Sequence, residues 1–469
     1  MQTTTQASDT STVETGAVGA QRGRTAPEWA TLLVVLTGTF MITLDFFIVN
    51  VAIPTTQREL HATSGQVQWI VAGYGLALAS GVITAGRLGD LYGRRRVYAI
   101  GLALFTVASL ACGVAGDAAQ LVTARIFQGA AAAVLTPQVL AIISTAFTGK
   151  ARTRAFTVYG LILGVAAVFG QLIGGARIRA DVWGLSWRAC FLINLPIGVA
   201  ALALVRRTVP GSAGARGTRL DLIGAALVTT ALFATVLPLI QGRAQGWPVW
   251  TYLSFGVAAV LFAVFVAHLR RTAARGGVPL IEPSMFASRG LVAATAAQFV
   301  FWLGQASFFL VLALYLQDGR GLTALATGVV FTAIGVGYMA ASSYAGRIAA
   351  RLGRQAVALG TLIMAVALAT MEVTVLAIGT HGSIGWLVPT LVLDGVGMGI
   401  ALSPLASTML SFVPARHAGA GSGVLSTVMQ VAGAVGVAVV GVVFFNTLGT
   451  GGFPHAFAAS LTFLTCVEV

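Results

Sequence analysis

Apolar residues run along this chain in long blocks, separated by short joints that carry glycine, arginine and a few acids. A bilayer core takes about 20 mainly apolar residues to cross as a helix. Blocks of that order fall at 29–53, 66–86, 97–116, 119–143, 155–176, 189–205, 220–241, 249–269, 290–316, 325–346, 355–378, 385–410, 418–447 and 454–469. The pattern predicts thirteen full spans and a fourteenth that stops early, since about 15 residues give roughly 22 Å of helix. We expect this last helix to be truncated. Residues 1–27 are polar and rich in Thr, Ser and Gly. They lack the charged start, apolar middle and cleavage site of a signal peptide, so they are expected to be a disordered tail before a first span that serves as its own signal.

Composition agrees with this pattern. Residues classed as hydrophobic make up 57% of the 469, and mean hydropathy is +0.89. A soluble domain averages about 45–50% apolar residues. Helix-length runs, in place of ten-residue alternating segments, exclude an outer-membrane barrel. The class expected is therefore an all-α integral membrane protein.

The net charge of +14 would suggest nucleic acid in a soluble protein. Here it is read as topology, because the basic residues gather at span ends. If the spans alternate in direction, 21 of the 28 basic residues fall on the side of the N-terminus and 6 on the other, with Arg125 inside a span. Basic loops stay cytoplasmic, so the N-terminus is expected inside. No nucleic-acid partner is expected. The dominance of arginine over the single Lys150, with abundant Ala, Gly and Val, points to a high-GC bacterial source, hence to the bacterial cytoplasmic (inner) membrane. The longest joints on the basic side, Arg206–Arg219 and Arg270–Arg289, bracket two spans that read as an insertion between two six-helix halves. The expected division is a tail at 1–27, an N-terminal half at 28–206, a linker with two extra spans at 207–275 and a C-terminal half at 276–469. A faint repeat, Gly86–Arg94 against Gly346–Arg354, follows the second span of each half, and repeated halves characterise secondary transporters.

Four ionisable residues lie well inside spans: Asp45, Arg125, Glu372 and Asp394. Such residues are expensive in a membrane and mark function by default. A carboxylate near the midplane can switch between charged and neutral forms, as proton coupling requires, whereas an arginine keeps its charge and modulates. The alternative for Asp45 and Arg125 is a static ion pair that aids packing. Glu372 has the alternative of facing a water-filled crevice or snorkelling. Asp394 opens Asp394-Gly-Val-Gly-Met-Gly399, where glycines suit close approach around a lined cavity. Gly86–Arg96 reads as a short charged loop between the second and third spans. The glycines of 160–174 and 419–436 suit close helix crossings, whether static or moving. No phosphate-loop lysine, zinc-protease motif, nucleophile elbow or Cys/His metal spacing is present, so neither an enzyme nor a cofactor is expected.

Several stretches, in order, resemble the major facilitator superfamily and its fourteen-helix drug:proton antiporter branch. Gly86–Arg96 is similar to the signature between its second and third helices, Leu44–Pro54 to its first-helix signature, and Arg125–Gly129 to its fourth-helix signature. Trp187–Gly198 and Gly421–Gly436 match its sixth and thirteenth helices. The resemblance implies proton-driven export of small hydrophobic compounds by alternating access, with the proton gradient in place of a cofactor. It carries Asp45 over as the proton-linked carboxylate and Arg125 as its partner. Asp90, with Gly86, Gly93, Arg94 and Arg95, would hold the cytoplasmic side closed beside the start of the thirteenth helix. One departure concerns the fifth-helix signature: Gly170-Gln171-Leu-Ile-Gly174-Gly175 lacks the usual proline, which removes a kink.

The function expected is proton-coupled efflux of lipophilic drugs or antibiotics, with self-resistance as one setting. Asp394, Glu372, Asn50 and Gln128 are the candidates for substrate contact. Protons, membrane lipid and the small-molecule substrate are the expected partners of a monomer. Uptake of a polar metabolite on the same fold is the alternative; it predicts a more polar pocket than these Phe- and Trp-bearing spans. A membrane enzyme or receptor would need a reactive constellation or a sizeable soluble domain.

Overall fold

The computed structural model describes residues 28–180, 184–211, 214, 220–242, 245–353, 355–414 and 417–468, and no strand occurs among them. The helices are α1 Glu28–Glu59, α2 Ser64–Tyr92, α3 Arg94–Gly113, α4 Ala118–Ala146, α5 Gly149–Ala180, α6 Ala189–Leu192, α7 Asn194–Thr208, α8 Leu222–Gln241, α9 Val249–Ala274, α10 Arg289–Leu314, α11 Ala324–Leu352, α12 Gln355–Ile378, α13 Val388–Ser411 and α14 Ala418–Glu468. Among the described residues, twelve helical segments are long and apolar enough to cross a membrane. The blocks read from the sequence fall on α-helices, although α5 is not among these twelve segments. The last two blocks lie on a single run, α14, broken at Gly452, whose φ of 73° no ordinary helix residue adopts. The sixth block is two short helices, α6 and α7, meeting at Ile193.

Polar side chains set where several helices begin. The Thr63 hydroxyl accepts from the Gln66 amide while the Gln66 side chain accepts from the Thr63 amide, a reciprocal cap at the start of α2. Asp117 caps α4, Asp221 caps α8 and Thr323 caps α11 in the simpler form, each accepting an amide three residues on.

The charged stretch 86–96 is not a loop. The helix of α2 continues through Gly86–Tyr92, α3 starts at Arg94, and Gly93 alone, at φ 91°, makes the joint. Continuing the helix keeps the backbone groups hydrogen-bonded up to the polar boundary, so charge and glycine here do not signal irregular chain.

The packing repeats along the chain. Both α2 and α3 lie on α4, as α11 and α12 lie on α13; α1 packs on α5, as α10 packs on α14. The two sets then cross-pack: α2 lies against α14, and α11 against α5. The α8–α9 hairpin sits beside α2 and α14. The largest apolar cluster is centred on α1–α4, where the buried Tyr98 hydroxyl of α3 donates to the Val34 carbonyl of α1 at 2.6 Å.

Candidate functional site

Asp45 sits midway along α1 and is fully buried. Glycines place it there: a Cβ on Gly170 would lie 3.1 Å from Phe47, and one on Gly174 would lie 2.7 Å from Ile48. These glycines let α5 close onto the turn of α1 that carries the acid. Arg125 comes from α4 and is 1% exposed. Its Nη1 donates to Asp45 Oδ2 at 2.5 Å and to Gln128 Oε1 at 2.6 Å, and its Nε donates to the Ile70 carbonyl at 3.0 Å. The guanidinium also lies 4.2 Å from the centre of the Tyr74 ring, a cation–π contact strengthened by burial.

The other Asp45 oxygen is also occupied. Gln128 Nε2 donates to Oδ1 at 2.8 Å and Asn194 Nδ2 does so at 3.2 Å. Both amides reach the Ser109 hydroxyl as well, at 2.8 and 3.3 Å. Asp45 therefore has three donors and one fixed positive charge, so its ionised form is well solvated by protein. The buried Tyr74 hydroxyl and Asn194 Oδ1 have no hydrogen-bond partner among the described residues. Next to this cluster, Ile70 and Phe191 help to line an apolar recess with Val49, Thr56, Val67 and Leu121.

The substrate candidates do not converge on one place. Gln128 belongs to the ion pair of Asp45 and Arg125, where both ends of its amide are engaged. Glu372, half-buried on α12, accepts from Thr462 of α14 at 2.9 Å. Asp394 is fully buried on α13, and neither of its oxygens has a partner among the described residues. The glycines after it make the close backbone approach expected of them, and backbone fills the place where a lined cavity was expected. A Cβ on Gly395 would lie 2.0 Å from the Ile334 carbonyl oxygen of α11, and one on Gly397 would lie 2.6 Å from that of Gly360 on α12. They serve helix crossing, because backbone contact leaves no room for a side chain. The side chains of Asn50 and Gln171 and the surroundings of Gly175 lie outside the described residues.

The α2–α3 joint forms a second constellation. Asp90 Oδ1 accepts from the Gly419 amide at 2.9 Å, and Oδ2 accepts from the Ala420 amide at 3.0 Å. These are free donors of the first turn of α14, so the carboxylate caps a helix from the other end of the chain. Arg94 Nη2 donates to Asp90 Oδ1 at 3.0 Å, and Arg87 stands 3.9 Å from Oδ2. Gly86 and Gly419 make the approach possible: a Cβ on either would lie 2.3 Å from the other's carbonyl oxygen. Arg94 also reaches Thr145 at the end of α4, and Arg95 reaches the Val209 carbonyl after α7. Another contact between the two helix sets lies at α5 and α11, where Gly160 and Gly164 cradle the ring of Tyr338.

Sequence reasoning missed Asn194, Ser109 and Tyr74. Asn194 had a signal, as a lone amide in the apolar stretch Trp187–Gly198; Ser109 and Tyr74 had none. It also missed Glu59, which accepts from Ser186, Trp187 and Arg188 at the opposite end of the molecule from Asp90.

A family model described as Major Facilitator Superfamily matches residues 35–437. The chain is 37% identical over 427 residues to the probable actinorhodin transporter of Streptomyces coelicolor, covering 91% of this chain and 74% of that protein. It is 34% identical to multidrug resistance protein Stp of Mycobacterium tuberculosis, over 91% of this chain and 77% of that one. The tetracenomycin C resistance and export protein of Streptomyces glaucescens is 32% identical, with the same coverage of each. Among solved structures, the human organic anion transporter MFSD10 aligns with a TM-score of 0.66 at 15% identity, over 95% of this chain and all of that one. The proton:xylose symporter XylE aligns with the same score and identity, over 94% and 93%. Both show a shared fold.

Proposed function

This chain belongs to the Major Facilitator Superfamily, and from that premise we propose that it exports small lipophilic compounds of the antibiotic class in exchange for protons. The relatives named for resistance or export of actinorhodin, tetracenomycin C and multiple drugs support the direction and the cargo class. The buried Asp45–Arg125 pair supports the coupling, and it is the observation that carries the mechanism. Asp45 is the proton carrier. Arg125 keeps its charge throughout and sets how tightly Asp45 holds its own. When Asp45 takes a proton, its ion pair and three accepted hydrogen bonds weaken together, and α1 is released from α4 and α7.

In this reading residues 28–206 and 276–469 are the two bodies that rock, and 207–275 is an inserted hairpin. The protein lies in a bacterial inner membrane with its N-terminus in the cytoplasm. The Asp90 cap then closes the cytoplasmic side, and the cargo site opens outward.

Two measurements test this. Expression in a pump-deficient bacterium should raise tolerance to at least one lipophilic drug; no shift across a broad panel would sink the export reading. Everted vesicles should show drug-triggered proton movement that Asp45→Asn removes. Normal coupling in that variant would make Asp45 a packing residue.

A further inference from the structure

The α8–α9 hairpin carries a recess on its outer side. A groove of about 370 Å³ runs between the two helices, lined by Leu222, Ile223, Ala226, Leu227 and Thr230 of α8 and by Leu261 of α9. Leu222 and Ile223 are 71% and 63% exposed. Of the twelve spanning segments α9 is the least buried, with 17% of its apolar window covered. Another side of the hairpin does the packing: Thr229 of α8 lies 3.3 Å from Thr84 of α2, and Val236 is buried against Leu76 and Ala79. The groove therefore opens to the bilayer and not to the seam between α2 and α14.

One contact sets its depth. Asp221 immediately precedes Leu222, and His268 of α9 lies 2.8 Å from the Asp221 carboxylate, so His268 stands level with the start of α8. At about 1.5 Å per residue the α8 wall, from Leu222 to Thr230, runs roughly 12 Å inward from there. In the other direction Arg271 and Arg275 follow His268 by about 4.5 and about 10.5 Å, in the last turn of α9 and at its cap. Viewed down α9, Arg275 lies about 40° and Arg271 about 80° from Leu261, on the opposite flank from the buried Phe265 and Leu269. Arg270 lies about 180° from Leu261. All three arginines are exposed. Neither α8 nor α9 holds an acid, and the Asp221 carboxylate is occupied by the amides of Gly224 and Leu280 and by His268.

Arginines at a span end serve topology in general. These two stand above an apolar recess, and that combination suits a molecule with an anionic head at the polar boundary and an apolar tail running inward. A neutral lipid matches the groove alone, and a free anion matches the arginines alone. We propose that this flank of the hairpin binds an anionic phospholipid from the leaflet at the arginine-rich end, with its phosphate on Arg271 and Arg275 and one acyl chain in the groove beside Leu222, Ala226 and Leu261. The guanidinium fork suits phosphate oxygens, and long arginine stems lie along apolar surface while their heads stay at the boundary. The site is on the outer side of the inserted hairpin, away from Asp45.

Native mass spectrometry can read the bound lipid, using the purified full-length chain in micelles that hold equal phosphatidylglycerol and phosphatidylcholine with matched chains. The parent should retain phosphatidylglycerol in preference by about 25-fold, about five-fold from each arginine. Arg271→Gln combined with Arg275→Gln should bring the two lipids close to parity, and Arg270→Gln should leave the preference unchanged. Ala226→Trp, which fills the groove, should cut retention of phosphatidylglycerol although both arginines remain. Absence of a preference in the parent overturns the proposal, whether or not the variants fold. A loss in Arg270→Gln as large as in the double variant would assign the effect to net charge and overturn the site. Undiminished retention in Ala226→Trp would overturn it too. No cargo or proton movement enters the measurement, so a failure of the export reading leaves its outcome standing.

Discussion

At the scale of single residues, the pair of Asp45 and Arg125 sets the strongest expectation. Removing one member of a buried ion pair strands the other charge, at a cost of about 3–5 kcal/mol. Arg125→Ala should therefore lower thermal stability sharply in detergent, because Asp45 and Gln128 both lose a donor and the Ile70 carbonyl loses its side-chain donor. A near-normal unfolding curve would mean that water replaces the guanidinium. The pair was legible in the sequence because charge inside an apolar run stands out wherever it occurs. Its surroundings were not: Asn194 lies 149 positions from Asp45, and an uncharged amide or hydroxyl in a span is common enough to carry no signal. Glu468 was visible in the sequence, but only packing sets it over Gly304.

At the scale of helices, two of the crossings between the sets α1–α7 and α10–α14 each make a separate prediction. The first is the Asp90 cap on α14. A carboxylate on a helix N-terminus contributes about 0.3–1 kcal/mol when exposed and up to ~2 kcal/mol when partly buried. Loss of ~2 kcal/mol would favour separation of α2 from α14 roughly 30-fold. A cysteine placed at the buried Ser422 should then react faster with a water-soluble maleimide in Asp90→Ala than in the parent, and equal rates would show that the cap does not hold the crossing. The second is the Tyr338 cradle. Gly160→Leu forces atoms into the space of the Tyr338 hydroxyl, since even a Cβ there would lie 2.6 Å away; overpacking of this kind costs about 1–3 kcal/mol. Tyr338→Ala in the same chain should recover part of that loss in a double-mutant cycle, and strict additivity would place the strain elsewhere. The glycine spacing was readable as close crossing, but its partner was not, because sequence periodicity does not say which helix fills a groove. The α2–α3 joint was misread for a physical reason: charge and glycine mark the membrane boundary, and a helix crosses that boundary at no cost to its backbone hydrogen bonds.

At the scale of the whole molecule, the run of apolar blocks was enough to place the helices, since length and hydropathy suffice for that. The repeated neighbour pattern, with α2 on α14 mirrored by α11 on α5, was only hinted at by the faint repeat at Gly86 and Gly346. The buried guanidinium of Arg125 has one more effect, and it is electrical. In the proposed cycle the two charges cancel while Asp45 is ionised, and protonation of Asp45 leaves one uncompensated positive charge inside the membrane. A transmembrane voltage acts on such a charge with ~2.3 kcal/mol per 100 mV for full passage, and on a proportionate part for a smaller displacement. On that proposal, the transport step that follows proton uptake should be voltage-sensitive. In proteoliposomes held at equal pH on both sides, an imposed potassium-diffusion potential should change the rate of drug movement, and its reversal should change the rate in the opposite sense. Indifference to voltage would mean that Arg125 stays fixed in the field while the rest of the protein moves around it.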